Sequence, residues 1–141
     1  MSDIELAIDM LKRENLSCVI LMGDCVYKSQ KRGVAPIMEL IKNGTQLNGF
    51  SVADRVIGKA AALLFVLAGI KEVYSPIMSE PAIEVFRENK IKISFDKSVP
   101  YIINRTGDGR CPMEEAVKNT NDPKKAFIAI QNKLNDLTQN N

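Results

Sequence analysis

The chain has 141 residues, 45% of them hydrophobic, which fits one folded domain with a buried core. Its 19 basic and 17 acidic residues nearly cancel, and this balance argues against a dedicated nucleic-acid binder. The sequence contains no histidine, which excludes serine–histidine and cysteine–histidine catalytic pairs and every metal site built on histidine.

The start of the chain and its cysteines predict a cytoplasmic location. Residues 1–5 lack the basic and apolar regions of a signal peptide, and the longest apolar run, residues 60–70, is too short to cross a bilayer. The cysteines Cys18, Cys25 and Cys111 are odd in number and lack CxxC spacing, a pattern typical of reduced thiols. We therefore expect no membrane partner.

The first part of the chain predicts a helix followed by a hairpin. A capping box at Ser2 begins an amphipathic helix that ends near Glu14. Apolar runs predict strands over 17–22 and 25–29, and the Gly23-Asp24 pair between them fits a two-residue hairpin turn.

Helices and strands then alternate. A short helix over 36–42 has a proline in its first turn. Ser51 is expected to cap a long apolar helix that ends at Ala68, and a strand over 71–76 follows it. Ser79 is expected to cap the next helix.

The rest of the chain predicts strands over 91–95 and 99–104 and two helices that begin at Cys111 and Asp122. This order of elements predicts one three-layer α/β/α sandwich with a mixed sheet of about five strands. The domain spans residues 1–138, and the polar residues that follow, 139–141, are expected to fray.

Two predicted helix starts correspond to the metal-binding motifs of zinc deaminases. Those enzymes carry H-x-E at the start of one helix and P-C-x-x-C at the strand-to-helix junction of the following unit. At the first junction this chain has Val52 in place of the histidine and Asp54 in place of the catalytic glutamate. At the second junction it has Ile77 and Glu80 in place of the two cysteines. We therefore expect no zinc-dependent deamination, no metal and no cofactor.

Together with the preceding helix and hairpin, these junctions resemble the cytidine-deaminase-like fold. More narrowly, residues 32–36, 52–62 and 104–114 resemble an uncharacterised prokaryotic family assigned to that superfamily, whose members likewise lack the zinc ligands. The resemblance implies a fold and the location of a pocket, and the family has no established reaction to transfer.

Two carboxylates and two neighbouring residues are the first candidates for ligand contacts. Asp54 and Glu80 would enter one cleft from two helix starts and bind or protonate a ligand, although acids also favour the first turn of any helix. Lys59, in an otherwise apolar segment, would meet an anion in the cleft or extend into solvent. Ser79 would hold an anion at a helix N-terminus or only cap its own helix.

Cys111 is a candidate nucleophile. It precedes Pro112 at a predicted helix start and follows Arg110, an environment that favours a thiolate. Since the chain has no histidine to act as its base, the alternative is a capping box that Cys111 forms with Glu114.

Two arginines lie beside glycine-containing loops that a ligand can approach closely. Arg32 precedes Gly33 and is a candidate contact for an anion. Arg105 precedes a loop, residues 106–110, whose backbone N–H groups could cradle a phosphate, although the loop lacks the pattern of a P-loop.

Three functions remain open. The first is a pocket that binds a nucleotide-like or other anionic small molecule. The second is a metal-free enzyme that uses Cys111, or Asp54 with Glu80, for hydrolysis or group transfer. The third is a non-catalytic interaction subunit whose helical faces allow a homo-oligomer. For the first function, the candidate ligand-binding residues are Arg32, Asp54, Lys59, Ser79, Glu80, Arg105 and Cys111.

Overall fold

The structure is a computed structural model that describes residues 1–103, 107, 109 and 111–139. In these ranges the helices are α1 (Asp3–Arg13), α2 (Ala35–Lys42), α3 (Lys59–Ala68), α4 (Glu80–Glu88), α5 (Pro112–Val117) and α6 (Pro123–Gln139). The strands are β1 (Cys18–Met22), β2 (Cys25–Ser29), β3 (Ser51–Asp54), β4 (Val56–Ile57), β5 (Glu72–Ser79) and β6 (Lys92–Val99). None of the helices in the described ranges is long and apolar enough to cross a membrane.

The strands form one mixed sheet. β1 pairs antiparallel with β2 and with β3, whereas β3 and β6 both pair parallel with β5. β4 continues the line of β3 along the same edge of β5, because Val56 pairs with Ile77 in the register in which Ser51 pairs with Glu72. The predicted mixed sheet of about five strands is confirmed, with its third strand divided into two segments.

Helices cover both faces of the sheet. α1 packs on β1 and β3, where Ala7 and Leu11 are buried in one apolar cluster with Val19. The opposite face carries α2, α3 and α4, and α5 and α6 pack against α3. β1 contributes to both clusters, since Val19 faces α1 and Ile20 belongs to the cluster on the other side. This arrangement confirms the predicted α/β class and its layers.

Local signals place the first elements where the sequence predicts them. α1 begins after Ser2, whose hydroxyl oxygen accepts the N–H of Glu5 at 3.3 Å. The hairpin between β1 and β2 turns at Gly23, whose φ of +58° suits a glycine. α3 ends at Ala68, as predicted, and the next residue, Gly69, takes the left-handed conformation with a φ of +81°.

The region around Asp54 differs from the prediction. Ser51 does not cap a helix but begins β3, and α3 starts only at Lys59, with Gly58 as its N-cap. All four residues of β3 are buried, because the strand lies between β1 and β5 with helices on both faces. Such a strand lacks the polar alternation that distinguishes it from a buried helix. The helix start predicted at Val52-Ala53-Asp54 is therefore wrong, and Asp54 instead ends a strand.

Pro76 accounts for the break in the third strand. β5 runs from Glu72 to Ser79, past its predicted end at Pro76. In the register shared by β3 and β4, Pro76 lies opposite Arg55, the residue between the two segments. Proline lacks the N–H group that a ladder hydrogen bond requires, so the pairing stops there and resumes at Val56.

The last predicted strands are also corrected. β6 is one continuous strand and replaces the two strands predicted over 91–95 and 99–104. It ends directly before Pro100, which cannot donate to a ladder. Among residues 100–103 no further strand follows, and Asn104 lies outside the described residues.

Candidate functional site

A cavity of about 800 Å³ opens at the carboxyl end of β3, beside the start of α3. Helices α5 and α6 and the residues before α2 complete its wall. Most of the lining side chains are apolar, with Val34, Ala60, Met113 and Leu134 among them. The polar and charged residues in the lining are Ser17, Arg32, Asp54, Arg55, Cys111 and Glu114.

Asp54 is the buried acid of this cavity, with 8% of its surface exposed. The backbone N–H groups of Val56 and Arg55 and the thiol of Cys18 lie beside its carboxyl group and favour the ionised form. Burial raises the pKa of Asp54 to about 7, and these neighbouring donors oppose the rise. Asp54 therefore titrates near neutral pH, far above the range of an exposed aspartate.

The break between β3 and β4 places Asp54 at the end of a buried strand. Because the pairing with β5 stops opposite Pro76, the chain leaves the ladder directly after Asp54. The N–H of Arg55 donates to the carbonyl of Ser17 at 3.1 Å and so continues the pairing with the β1 side of the sheet by one residue. The backbone N–H groups of Val56 and Arg55 also lie close enough to the Asp54 carboxyl group to lower its pKa.

Cys18 completes the surroundings of Asp54. It lies directly opposite Asp54 in the antiparallel pair of β1 and β3, and it is buried. Burial, and then the neighbouring Asp54, raise the pKa of the Cys18 thiol well above its ordinary value, so Cys18 stays a neutral donor. No sequence pattern indicates this residue as part of a site, since the register between the two strands is set by tertiary pairing.

Glu114 joins α5 to the start of α3. Its Oε1 accepts the N–H of Lys59 at 2.8 Å, and its Oε2 accepts the N–H of Ala60 at 2.9 Å. A carboxylate is favourable here because the first N–H groups of a helix have no partner within the helix. Gly58 permits this approach, since a Cβ atom at that position would lie 2.4 Å from Oε1. The capping box predicted between Cys111 and Glu114 is therefore wrong, because Glu114 caps α3 instead.

Two arginines line the cavity, and the guanidinium of one is engaged elsewhere. The Nε of Arg55 donates to the carbonyl of Leu16 at 2.8 Å, and its Nη2 donates to the carbonyl of Leu11 at 2.7 Å. These carbonyls belong to the last turn of α1 and to the loop that follows it, so Arg55 ties the end of that helix to the sheet. Arg32, in the loop before α2, contributes the other positive charge of the lining.

The cavity brings together three of the seven residues that the sequence indicates as ligand-binding candidates. Arg32, Asp54 and Cys111 all line it, although they come from distant parts of the chain. Cys111 is half-buried at the N-cap of α5, where its thiol makes no capping hydrogen bond. Arg105 lies outside the described residues.

The remaining three candidates do not line the cavity. The Nζ of Lys59 donates to the carbonyl of Lys118 at 3.4 Å. Ser79 is buried and accepts the N–H of Ala82 at 3.2 Å, which confirms its predicted role as the cap of α4. Glu80, the next residue, is exposed in the first turn of that helix.

Potential metal ligands do not cluster in the described part of the chain. Among residues 1–103 and 111–139, no group of three or more cysteine, aspartate or glutamate side chains has the spacing of a metal site. The expectation that the protein carries no metal and no cofactor stays a prediction.

Comparison with known proteins identifies a sequence family and a similar structure. The profile of a family described as "TM1506: Domain of unknown function (DUF1893)" matches residues 6–134. The crystal structure of a DUF1893 family protein (TM1506) from Thermotoga maritima is similar to this one, with a TM-score of 0.85. The two chains are 26% identical, and the match covers 93% of this chain and 89% of that chain. Among curated proteins there is no match.

Proposed function

Because this chain belongs to the DUF1893 family, a family of unknown function, we propose a function from the cavity itself: the protein binds a small organic molecule whose polar group pairs with Asp54. The observation that carries this proposal is a buried acid in a cavity of about 800 Å³ with mostly apolar walls. This volume lies in the range of ligand pockets, which combine apolar walls with a few placed polar groups.

The position of the cavity in the fold supports the same proposal. It opens at the carboxyl end of β3, and ligands of open α/β sheets bind outside the carboxyl ends of parallel strands. The resemblance of the sequence to the cytidine-deaminase-like superfamily implies a pocket in the same region. We propose that superfamily as the origin of the scaffold, with its zinc ligands replaced.

The nucleotide-like or anionic ligand expected from the sequence is one form of this proposal. Arg32 supplies a positive charge in the lining for an anionic group, and Asp54 supplies a hydrogen-bonding partner for a ring. The ligand stabilises the folded protein by an amount that depends on its concentration relative to the Kd, about 3 kcal/mol at a hundredfold excess over the Kd.

A thermal-shift screen against nucleotides, nucleosides and common metabolites tests the function. We expect at least one compound to raise the Tm of the wild type in a saturable way and to have little effect on Asp54→Asn. The matched control is Glu80→Gln, which changes an exposed acid outside the cavity and should respond like the wild type. An equal response of all three proteins would exclude Asp54 as the recognition group.

A metal-free enzyme is a second candidate, because Cys111 and Asp54 line the same cavity. An acid with a pKa of about 7 is suited to proton transfer at neutral pH, and the thiol of Cys111 would be the nucleophile in hydrolysis or group transfer. This candidate requires a Cys111 thiol that iodoacetamide alkylates rapidly at neutral pH, relative to Cys25 in the same protein. A slow reaction at Cys111 would count against it.

A third proposal is a non-catalytic interaction subunit that forms a homo-oligomer. Other measurements test it. Light scattering gives the oligomeric state. If the protein acts only through its outer faces, Asp54→Lys that still folds would keep its function. The cytoplasmic location and the absence of a nucleic-acid partner likewise stay predictions.

A further inference from the structure

The hydrogen bonds of Asp54 indicate what its ligand must provide. An ionised carboxylate has about four acceptor positions and no donor. In the described part of the chain, at most three donors lie against these positions: the backbone N–H groups of Arg55 and Val56 and the thiol of Cys18. Counted over the described residues, at least one acceptor position of the ionised carboxylate stays open, and Asp54 lines the cavity. A ligand group that complements the ionised form has to be a donor.

The charges around Asp54 also favour a positive partner. No ion pair within the described ranges includes Asp54. Arg55 directly follows Asp54 in the chain, but its guanidinium donates to the carbonyls of Leu11 and Leu16 instead. The lining also carries a second acid, Glu114, and a further cation, Arg32, which forms no ion pair with Asp54. Among the described residues the buried carboxylate of Asp54 therefore has no ion-pair partner; burial of an unpaired carboxylate is unfavourable, and a bound cation would offset that cost.

The outer part of the cavity is apolar. Val56, Ile103 and Leu137 line it and are exposed to solvent, with an exposed fraction of 55% for Ile103. Deeper in the cavity the walls include Ala60 and Ala61 of α3, whose small side chains leave room for a ring. A ligand that extends from Asp54 toward the solvent therefore contacts apolar side chains for most of its length.

We propose that the cavity selects an organic base, in which ammonium, amidinium or amino nitrogen atoms donate to the Asp54 carboxylate and an apolar body extends toward Val56, Ile103 and Leu137. This inference rests on the proposed function and names the chemical class of its ligand. The sequence alone suggests an anionic ligand. This inference instead places a positively charged or hydrogen-bond-donating group of the ligand beside Asp54. The raised pKa of Asp54 agrees with it, because a cation bound beside the carboxylate would lower that pKa again.

Three compounds of nearly equal shape test the charge preference: benzamidine, benzamide and benzoate. The measurement is protein-observed NMR, in which each compound is titrated into the wild type, Asp54→Asn and the exposed control Glu80→Gln. We expect benzamidine to shift the amide signals of Ala60 and Ala61 and to bind the wild type at least about tenfold more tightly than benzoate. Asp54→Asn should remove this preference, and Glu80→Gln should keep it.

A second comparison tests the apolar body. A propyl group in the para position of benzamidine should strengthen binding several-fold in the wild type, because it reaches the apolar outer part of the cavity. Ile103→Ser should remove that gain. Ile128→Ser is the matched control, since Ile128 has a similar exposed fraction, 59%, and does not line the cavity.

The outcomes separate this inference from the proposed function. If benzoate or a nucleotide binds at the same amides as tightly as benzamidine, or if Asp54→Asn keeps the preference for benzamidine, the organic-base proposal is overturned and ligand binding in the cavity stands. An equal loss of the propyl gain in Ile103→Ser and Ile128→Ser overturns the placement of the apolar body. If no compound raises the Tm in the thermal-shift screen and none shifts the amide signals of the cavity in the NMR titrations, both proposals are overturned.

Discussion

At the scale of single residues, Asp54 determines the expected pH dependence of stability. Its pKa in the folded protein, about 7, lies above the ordinary value of 3.8, so the folded state binds the proton more tightly than the unfolded state does. The stability from this group is complete below about pH 4 and is lost as the pH rises through 7. We expect the unfolding free energy of the wild type, relative to Asp54→Asn, to fall by up to about 4 kcal/mol between pH 4 and pH 8.

Urea unfolding of both proteins across this pH range measures the difference. Cys18, the thiol that faces Asp54, stays neutral over the whole range because its pKa is also raised. An NMR titration of the Asp54 carboxyl carbon gives its pKa independently. Parallel pH profiles for the wild type and Asp54→Asn would contradict burial of this acid.

At the scale of elements, the contact between Glu114 and the start of α3 connects two helices that line the cavity. Glu114→Gln keeps the shape of the side chain but replaces one acceptor oxygen by an N–H₂ group that faces a backbone donor. We expect a loss of about 1–2 kcal/mol in the free energy of unfolding, measured by urea unfolding. Gly58→Ala should cost at least as much, because its Cβ would displace the carboxylate.

The control for this contact is on the same helix. Glu115 pairs with Lys118 on the exposed surface of α5, at 3.2 Å. Glu115→Gln should therefore change the free energy of unfolding by no more than about 0.5 kcal/mol. Equal losses for Glu114→Gln and Glu115→Gln would mean that the bonds to α3 contribute little.

At the scale of the whole molecule, the two apolar clusters share the same sheet and should unfold together. β1 contributes Val19 to the cluster under α1 and Ile20 to the cluster under α3, so neither layer keeps its core without the strand. We expect one urea transition with the same midpoint by far-UV circular dichroism and by tyrosine fluorescence. Removal of residues 139–141 should leave the midpoint unchanged, and two separate transitions would contradict a single domain.

The sequence by itself determined the α/β class, the capped first helix and the hairpin, because capping, turn and periodicity signals are local. It also excluded histidine chemistry by composition. It indicated Asp54 and Cys111 as candidates, and both line the cavity. These are properties that a few neighbouring residues, or a residue count, can carry.

The tertiary structure alone decided how Asp54 is used. Residues 51–54 resemble the start of a helix because a strand buried on both faces has no polar alternation, and only their pairing with β1 on one side and β5 on the other identifies them as a strand. The register of that pairing puts Cys18 against Asp54, and the packing of α5 puts Glu114 on α3. Such contacts join residues that lie 36 to 55 positions apart, and no local pattern encodes them.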